Sequence, residues 1–176
     1  MQEGSWTVLQ IPFRKPDPII SVIELVMKGN EITVDNTQAL DPEIGTNELS
    51  VIFAEAKDCH VYKSSWMEKF GEWKHEYCVS NLNRGGKIIW TVDVKSPGTY
   101  QVELKVRGNG RVVWKVETDE GQMAQNQQSA SSIFCKRPIG WIRFDKPGRH
   151  TITVNMPEGG KQADISSISM TPIYFE

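Results

Sequence analysis

The stretch Tyr100-Gln101-Val102-Glu103-Leu104-Lys105-Val106-Arg107 alternates apolar and polar residues without a break. Successive side chains of a β-strand point to opposite faces, so Tyr100, Val102, Leu104 and Val106 share one face while Gln101, Glu103, Lys105 and Arg107 share the other. One face is core and the other meets solvent, the pattern of an antiparallel sheet covered on one side. Immediately upstream, Ser96-Pro97-Gly98 sets Pro before Gly, turn chemistry in which Gly takes a positive φ, and Lys146-Pro147-Gly148 repeats it. Each of these turns is expected to close a hairpin.

Outward from this strand, further runs follow at short, regular spacing: Lys87 to Val94, Val112 to Thr118, Ile139 to Phe144, His150 to Met156 and Ile165 to Pro172. That rhythm predicts an all-β fold, an antiparallel β-sandwich. Asp119-Glu120-Gly121 reads as a turn. Before the first of these strands lie an apolar run, Leu49 to Ala54, and a Trp-rich stretch, Trp66 to Trp73, read as loop-like with at most a short helical turn over Ser65 to Lys74. The polar segment Asp35 to Asn47 marks a boundary, placed near Asn36. The two units expected are therefore a β appendage over residues 1–36 and a sandwich over residues 37–176. The appendage has strand-like runs, Trp6 to Ile11 and Ile19 to Val26, separated by Pro12, Pro16 and Pro18. Two strands alone bury too little apolar surface to offset their ordering entropy, so this piece must pack on a neighbour.

Composition narrows the function. Of 176 residues, 39% are hydrophobic and 24% charged, with a net charge of −2, so there is no basic field to hold a phosphate backbone and nucleic acid is not an expected partner. No window approaches the ~20 apolar residues of a membrane-spanning helix, and Met1-Gln2-Glu3-Gly4 lacks the character of a signal peptide. Cys59, Cys78 and Cys135 match no zinc or redox spacing. They read as small apolar side chains, with one disulfide left open.

No nucleophile elbow, metalloprotease helix, phosphate loop or dinucleotide fingerprint is present. His60, His75 and His150 read as surface or hydrogen-bonded side chains, and Glu68, Glu72 and Glu76, spaced by four, as a solvated face. The six tryptophans say more, because flat aromatic faces stack on the C–H face of pyranose rings. Trp90 and Trp114 lie in alternating strands and read as core. Trp141, in phase with Ile139 and Arg143, leans toward core but stays a candidate for ligand contact. Trp66 and Trp73, in a polar stretch, are the open candidates, and Trp6 is assigned to packing of the appendage.

Taken in order, the landmarks resemble the galactose-binding-like jelly rolls of carbohydrate-binding modules, families 6 and 35 above all. They are Glu55-Ala56-Lys57-Asp58, then Ser96-Pro97-Gly98-Thr99-Tyr100-Gln101-Val102, then Gly148-Arg149-His150-Thr151-Ile152-Thr153-Val154 and finally Asp164-Ile165-Ser166-Ser167-Ile168. The resemblance covers Leu49 to Pro172. It implies a sugar cleft with Trp66 or Trp73 as one wall, Phe134 or Trp141 as the other, and Gln162 at the position where the family has an Asn. It also implies a structural calcium with Glu55 and Asp164 among its ligands. Lys57, which replaces the family's second Glu, opposes that by removing an anionic oxygen, since calcium takes six to eight oxygens. An ion pair of Lys57 with an acid is the alternative.

Separately, Val8 to Lys28, with its Pro16-Asp17-Pro18 and Ile23-Glu24-Leu25, resembles the closing strands of the β-sandwich that follows the barrel in family 29 α-L-fucosidases. The two resemblances imply a non-catalytic C-terminal fragment of a family 29 α-L-fucosidase-like glycoside hydrolase, whose catalytic barrel lies elsewhere in a parent chain. They place it in the periplasm or outside the cell, with an oligo- or polysaccharide as partner. Two functions stay open: a carbohydrate-binding module, and an accessory domain that packs on the catalytic barrel without binding sugar.

Overall fold

The computed structural model describes residues 35–159 and 162–174, with two short strands near the N-terminus and without the side chain of Glu68. The chain divides into two compact units, Met1–Val34 and Asp35–Glu176. In the first, β1 (Gln2–Glu3) pairs antiparallel with β2 (Trp6–Thr7). The expected strand from Ile19 to Val26, the prolines around it and the fucosidase-like run at Pro16 to Leu25 lie outside the described residues, as does the side chain of Trp6.

The second unit is a sandwich of two six-stranded sheets. Its strands are β3 (Gln38–Leu40), β4 (Asn47–Ser50), β5 (Glu55–Lys57), β6 (His60–Lys69), β7 (Glu72–Ser80), β8 (Lys87–Val94) and β9 (Gly98–Gly108). They continue with β10 (Gly110–Thr118), β11 (Met123–Ala130), β12 (Cys135–Phe144), β13 (Gly148–Asn155) and β14 (Ala163–Ile173). One sheet runs β11-β10-β13-β8-β3 with β5 also on β8; the other runs β12-β9-β14-β7-β6 with β4 also on β14. No α-helix occurs among the described residues, only three single-turn 3₁₀ segments.

The alternation of β9 is realised in full: Tyr100, Val102, Leu104 and Val106 are completely buried. They meet Ile88, Trp90, Val92, Trp114, Ile152 and Val154 of the opposing sheet in one core. Trp90 and Trp114 are core residues, as their strand patterns predict. The Trp90 indole donates to the Ser50 carbonyl at 3.0 Å.

Several expectations are corrected. The two Pro-Gly turns do not close hairpins: β8 and β9 belong to different sheets, as do β12 and β13. Proline has no N–H for the ladder, so each pair ends its strand, and at both sites the chain then crosses from one sheet to the other. Of the two glycines only Gly148 has a positive φ, 112°. Among the described residues of the sandwich the hairpins are elsewhere, at the Gly71 turn joining β6 to β7 and at Asp119-Glu120-Gly121 joining β10 to β11; Gly71 and Gly121 both have φ of 82°. The apolar run from Leu49 is only partly strand, since a 3₁₀ turn takes Val51–Phe53.

Trp141 is 64% exposed instead of core. A bulge between Pro138 and Gly140 shifts the register, so that Ile139 is buried while Ile142 and Phe144, not Trp141 and Arg143, continue the inner face. The bulge requires Gly140, where a Cβ would sit 3.1 Å from that of Ala124.

All three cysteines are free, Cys78 buried and Cys59 and Cys135 half-buried. Burial is the main cause that pushes the Cys78 thiol up to about 11, with Glu76 and Asp164 adding and Arg107 opposing. A thiol reagent at mildly alkaline pH is therefore expected to label Cys59 and Cys135 in the folded chain and to reach Cys78 only on unfolding. Mass spectrometry of partially labelled protein reads this out, and early labelling of Cys78 would contradict its burial.

Candidate functional site

Trp66 and Trp73 do not lie on a loop; they sit on the hairpin β6–β7, where Trp66 pairs with Lys74 and Met67 with Trp73. Val79 at the base of β7 is buried and pairs with Ile165, and beyond it the hairpin carries mostly exposed residues. Strand alternation gives the hairpin two faces. Tyr62, Ser64, Trp66, Lys74, Glu76 and Cys78 share one, while Met67, Trp73, His75 and Tyr77 share the other. A polar tip and few β-branched residues make the stretch read as loop, yet cross-strand pairing holds it as a ribbon.

On the outer face of its sheet, Trp66, Glu76, Lys105, Arg107, Ser132, Ile133 and Phe134 line a cleft of about 480 Å³. Its walls come from opposite edges of the sheet. Trp66 stands on edge strand β6, and Ile133 and Phe134 belong to the loop between β11 and β12, the other edge. Glu76 of β7 and the outward residues Lys105 and Arg107 of β9 lie between them. Glu76 does not belong to a solvated face: its carboxylate accepts from Lys105 at 2.5 Å and both side chains are largely covered.

Arg107 organises the deep end. Its guanidinium lies 4.7 Å above the centroid of Phe134, donates from Nε to Asp164 Oδ2 at 3.0 Å and from an Nη to the Tyr62 hydroxyl at 2.7 Å. The Tyr62 hydroxyl donates to the same Asp164 oxygen at 2.6 Å. Asp164 Oδ1 is buried and has no partner. Asp164, Arg107 and Ser132 also line an adjoining hollow of about 230 Å³ together with Gly108, Asn109, Gln162 and Ala163. The two spaces share Arg107 and Ser132.

The network has a pH signature. Burial, followed by donation to Asp164, pushes the Tyr62 phenol up to about 12 from 10.0, against the lowering effect of Arg107. The folded state then holds a proton that the unfolded chain gives up between those values, so stability is full below pH 10 and falls as pH rises toward 12. Replacing Tyr62 by Phe is expected to flatten that part of the stability curve. Denaturant midpoints across this range, wild type against variant, measure it; identical slopes would place the effect elsewhere.

Of the residues expected to bind sugar, the structure brings Trp66 and Phe134 into one cleft and places Gln162 in the hollow beside it. It leaves Trp73 on the opposite face of the hairpin. Trp141 pairs with Gln101, six residues along β9 from Arg107, or ~20 Å away. Lys105, Arg107, Glu76 and Tyr62 were not anticipated. The outward phase of Lys105 and Arg107 was legible, but nothing in sequence says which outward residues the edges wall in.

Calcium does not fit. Glu55 is on β5 in one sheet, paired with Lys57 at 3.4 Å, while Asp164 is on β14 in the other sheet, held by Arg107 and Tyr62. Among the described residues no three acidic, His or Cys side chains converge. Each carboxylate already faces a cation, which a calcium ion would have to displace. A chelator is expected to leave the thermal unfolding midpoint unchanged; a drop reversed by added calcium would restore the ion.

No family model matches the chain, and no curated protein matches it. Solved structures do. The chain is similar to a GH26-CBM35 β-(1,4)-mannanase of Podospora anserina, with 17% identity and a TM-score of 0.55 over 75% of this chain and 28% of that one. It is also similar to an exo-β-1,3-galactanase of Phanerochaete chrysosporium solved with galactose, with 17% identity and a TM-score of 0.53 over 71% and 29%. A third likeness is to the mosquito-larvicidal Cry4Aa toxin of Bacillus thuringiensis, with 11% identity and a TM-score of 0.58 over 81% and 26%. The chain thus spans under a third of the length of each. At such identities the likeness is one of fold: a β-sandwich built into larger proteins, glycoside hydrolases among them.

Proposed function

We propose that the sandwich is a non-catalytic carbohydrate-binding module that keeps a tethered glycoside hydrolase close to its glycan. The observation that carries this reading is the cleft in which Trp66 and Phe134 stand at opposite edges of one sheet over a floor of polar groups. Aromatic walls offer stacking to the C–H faces of a sugar ring, and the Glu76–Lys105 pair, Asn109 and Gln162 offer hydrogen bonds to its hydroxyls. Neighbours of the same fold in a mannanase and a galactanase agree with it. Tethering raises the effective concentration of enzyme at the polymer without new chemistry.

Because stacking and a few hydrogen bonds only narrowly offset the loss of well-solvated hydroxyls, dissociation constants of about 10 μM to 1 mM are expected. Calorimetric titration with β-1,4-manno-, β-1,3-galacto- and fucosylated oligosaccharides tests this. Saturable heat with one of them supports the module; no heat with any of them at millimolar concentration sinks it. The finer picture is also proposed: residues 1–36 as the closing strands of a preceding sandwich, a fucosidase-like parent, and a location outside the cytoplasm.

One observation favours the second reading, an accessory domain that packs on its parent. Phe70 is fully exposed at the hairpin tip, and Met67 and Trp73 behind it are 49% and 61% exposed. Exposed apolar side chains clustered on one ribbon suit a protein contact. The titration decides between the two, since packing alone gives no heat with glycans.

A further inference from the structure

At the end of the sandwich remote from the cleft, Pro42, Pro97, Thr99, Arg143, Pro172 and Tyr174 line a cavity of about 440 Å³. Its size falls in the ~300–1,000 Å³ range of small-molecule sites. Tyr100 lines it from beneath. The Tyr100 ring is completely buried against Phe144 in an edge-on contact, yet its hydroxyl has no hydrogen-bond partner. A buried hydroxyl without a partner is rare in proteins and marks a place where a water or a ligand group completes the site.

The lining also says what kind of ligand. Tyr174 is 73% exposed but not loose, since its hydroxyl donates to the Pro42 carbonyl at 3.1 Å. It presents a fixed aromatic face, and the three proline rings add apolar wall. Among the described residues Arg143 is the only charged side chain in the lining, and it is already bonded to Asp145 at 2.7 Å. The remaining polar groups are the neutral hydroxyls of Ser96, Thr99 and Tyr100. Aromatic face, apolar rim and neutral hydroxyls suit a neutral ring that bears hydroxyls, one sugar residue in size.

We propose that this cavity is a second carbohydrate site, taking a single neutral pyranose ring against Tyr174. It goes beyond the cleft and does not depend on it. Tyr100 and Arg107 are seven residues apart on β9, which puts the two sites ~23 Å apart on opposite ends of the sandwich. Two weak sites so placed let one module engage two glycan chains, with avidity neither site has alone.

Amide shift mapping by NMR on the whole chain, with D-mannose and D-galactose as probes, tests the proposal. Shifts at Thr99, Arg143 and Ile173 are expected, to persist in Trp66→Ala and to vanish in Tyr174→Ala. Tyr100→Phe, which keeps the ring and removes only the hydroxyl, is expected to weaken those shifts severalfold without lowering stability. The proposal is overturned if these amides stay still while the cleft responds, or if their shifts vanish with Trp66→Ala. It is overturned too if Tyr174→Ala leaves them unchanged. If neither end responds to any sugar, the module reading falls with it.

Discussion

Replacing Trp66 by Ala is expected to weaken glycan binding about tenfold or more, while Trp73→Ala and Trp141→Ala leave it within about twofold. The three tryptophans are alike in being exposed, so the difference must come from what each faces. Trp66 shares a cleft with Phe134, Lys105 and Arg107, whereas Trp73 points from the opposite face of the same hairpin and Trp141 stands on open sheet ~20 Å from Arg107. Losing one aromatic wall removes roughly 0.5–1.5 kcal/mol of stacking beyond its area burial, and adding the lost burial brings the total past the 1.4 kcal/mol that makes a factor of ten. Phe134→Ala should cost comparably and should also loosen Arg107, whose guanidinium rests on that ring. Calorimetry of the four variants against the best glycan measures this. Equal loss in Trp66→Ala and Trp73→Ala would move the site off the cleft and onto the hairpin as a whole.

What the chain discloses before folding follows the range of the interactions concerned. Strand identity is a local matter of alternation, and the strand expected at Lys87 to Val94 is β8 without a residue's difference. β9, β10, β13 and β14 differ from expectation only at their ends. The hairpin β6–β7 is not legible in the sequence because it is held by pairing with itself at the sheet edge and not by a buried face, which is the signal alternation reports. The edge strand β11, Met-Ala-Gln-Asn-Gln-Gln-Ser-Ala, is illegible for the same reason: only Ala124 among its residues is buried.

Topology was less legible still. A Pro-Gly pair announces that a strand ends, but whether the next strand lies beside it or in the opposite sheet depends on packing between sheets. The site shows the same division. A resemblance points to Trp66, Phe134 and Gln162, which line two spaces that share Arg107 and Ser132, yet Trp73 and Trp141 have equal standing in sequence. A register shift at Pro138/Gly140 and the pairing of β6 with β7 are what separate them.

The core separates two tryptophans that sequence treats alike. Trp90 and Trp114 are both completely buried, in adjacent regions of the same core. Trp90→Ala is expected to destabilise the fold by ~3–5 kcal/mol, because the cavity left in a close-packed sandwich closes only in part. Against a total stability of ~5–15 kcal/mol that leaves a marginal protein. The more informative pair is Trp90→Phe with Trp114→Phe, since each removes the same part of an indole. Trp90 Nε1 donates to the Ser50 carbonyl, whereas Trp114 Nε1 is buried without an acceptor. Phenylalanine at 90 therefore removes a hydrogen bond, while at 114 it removes an unsatisfied donor, so Trp90→Phe is expected to cost ~1–3 kcal/mol more than its counterpart. Chemical denaturation midpoints at constant m-value read the difference directly. If the two variants fall together, Trp114 Nε1 has an acceptor in solution, and a water in the core beside it becomes the explanation to pursue.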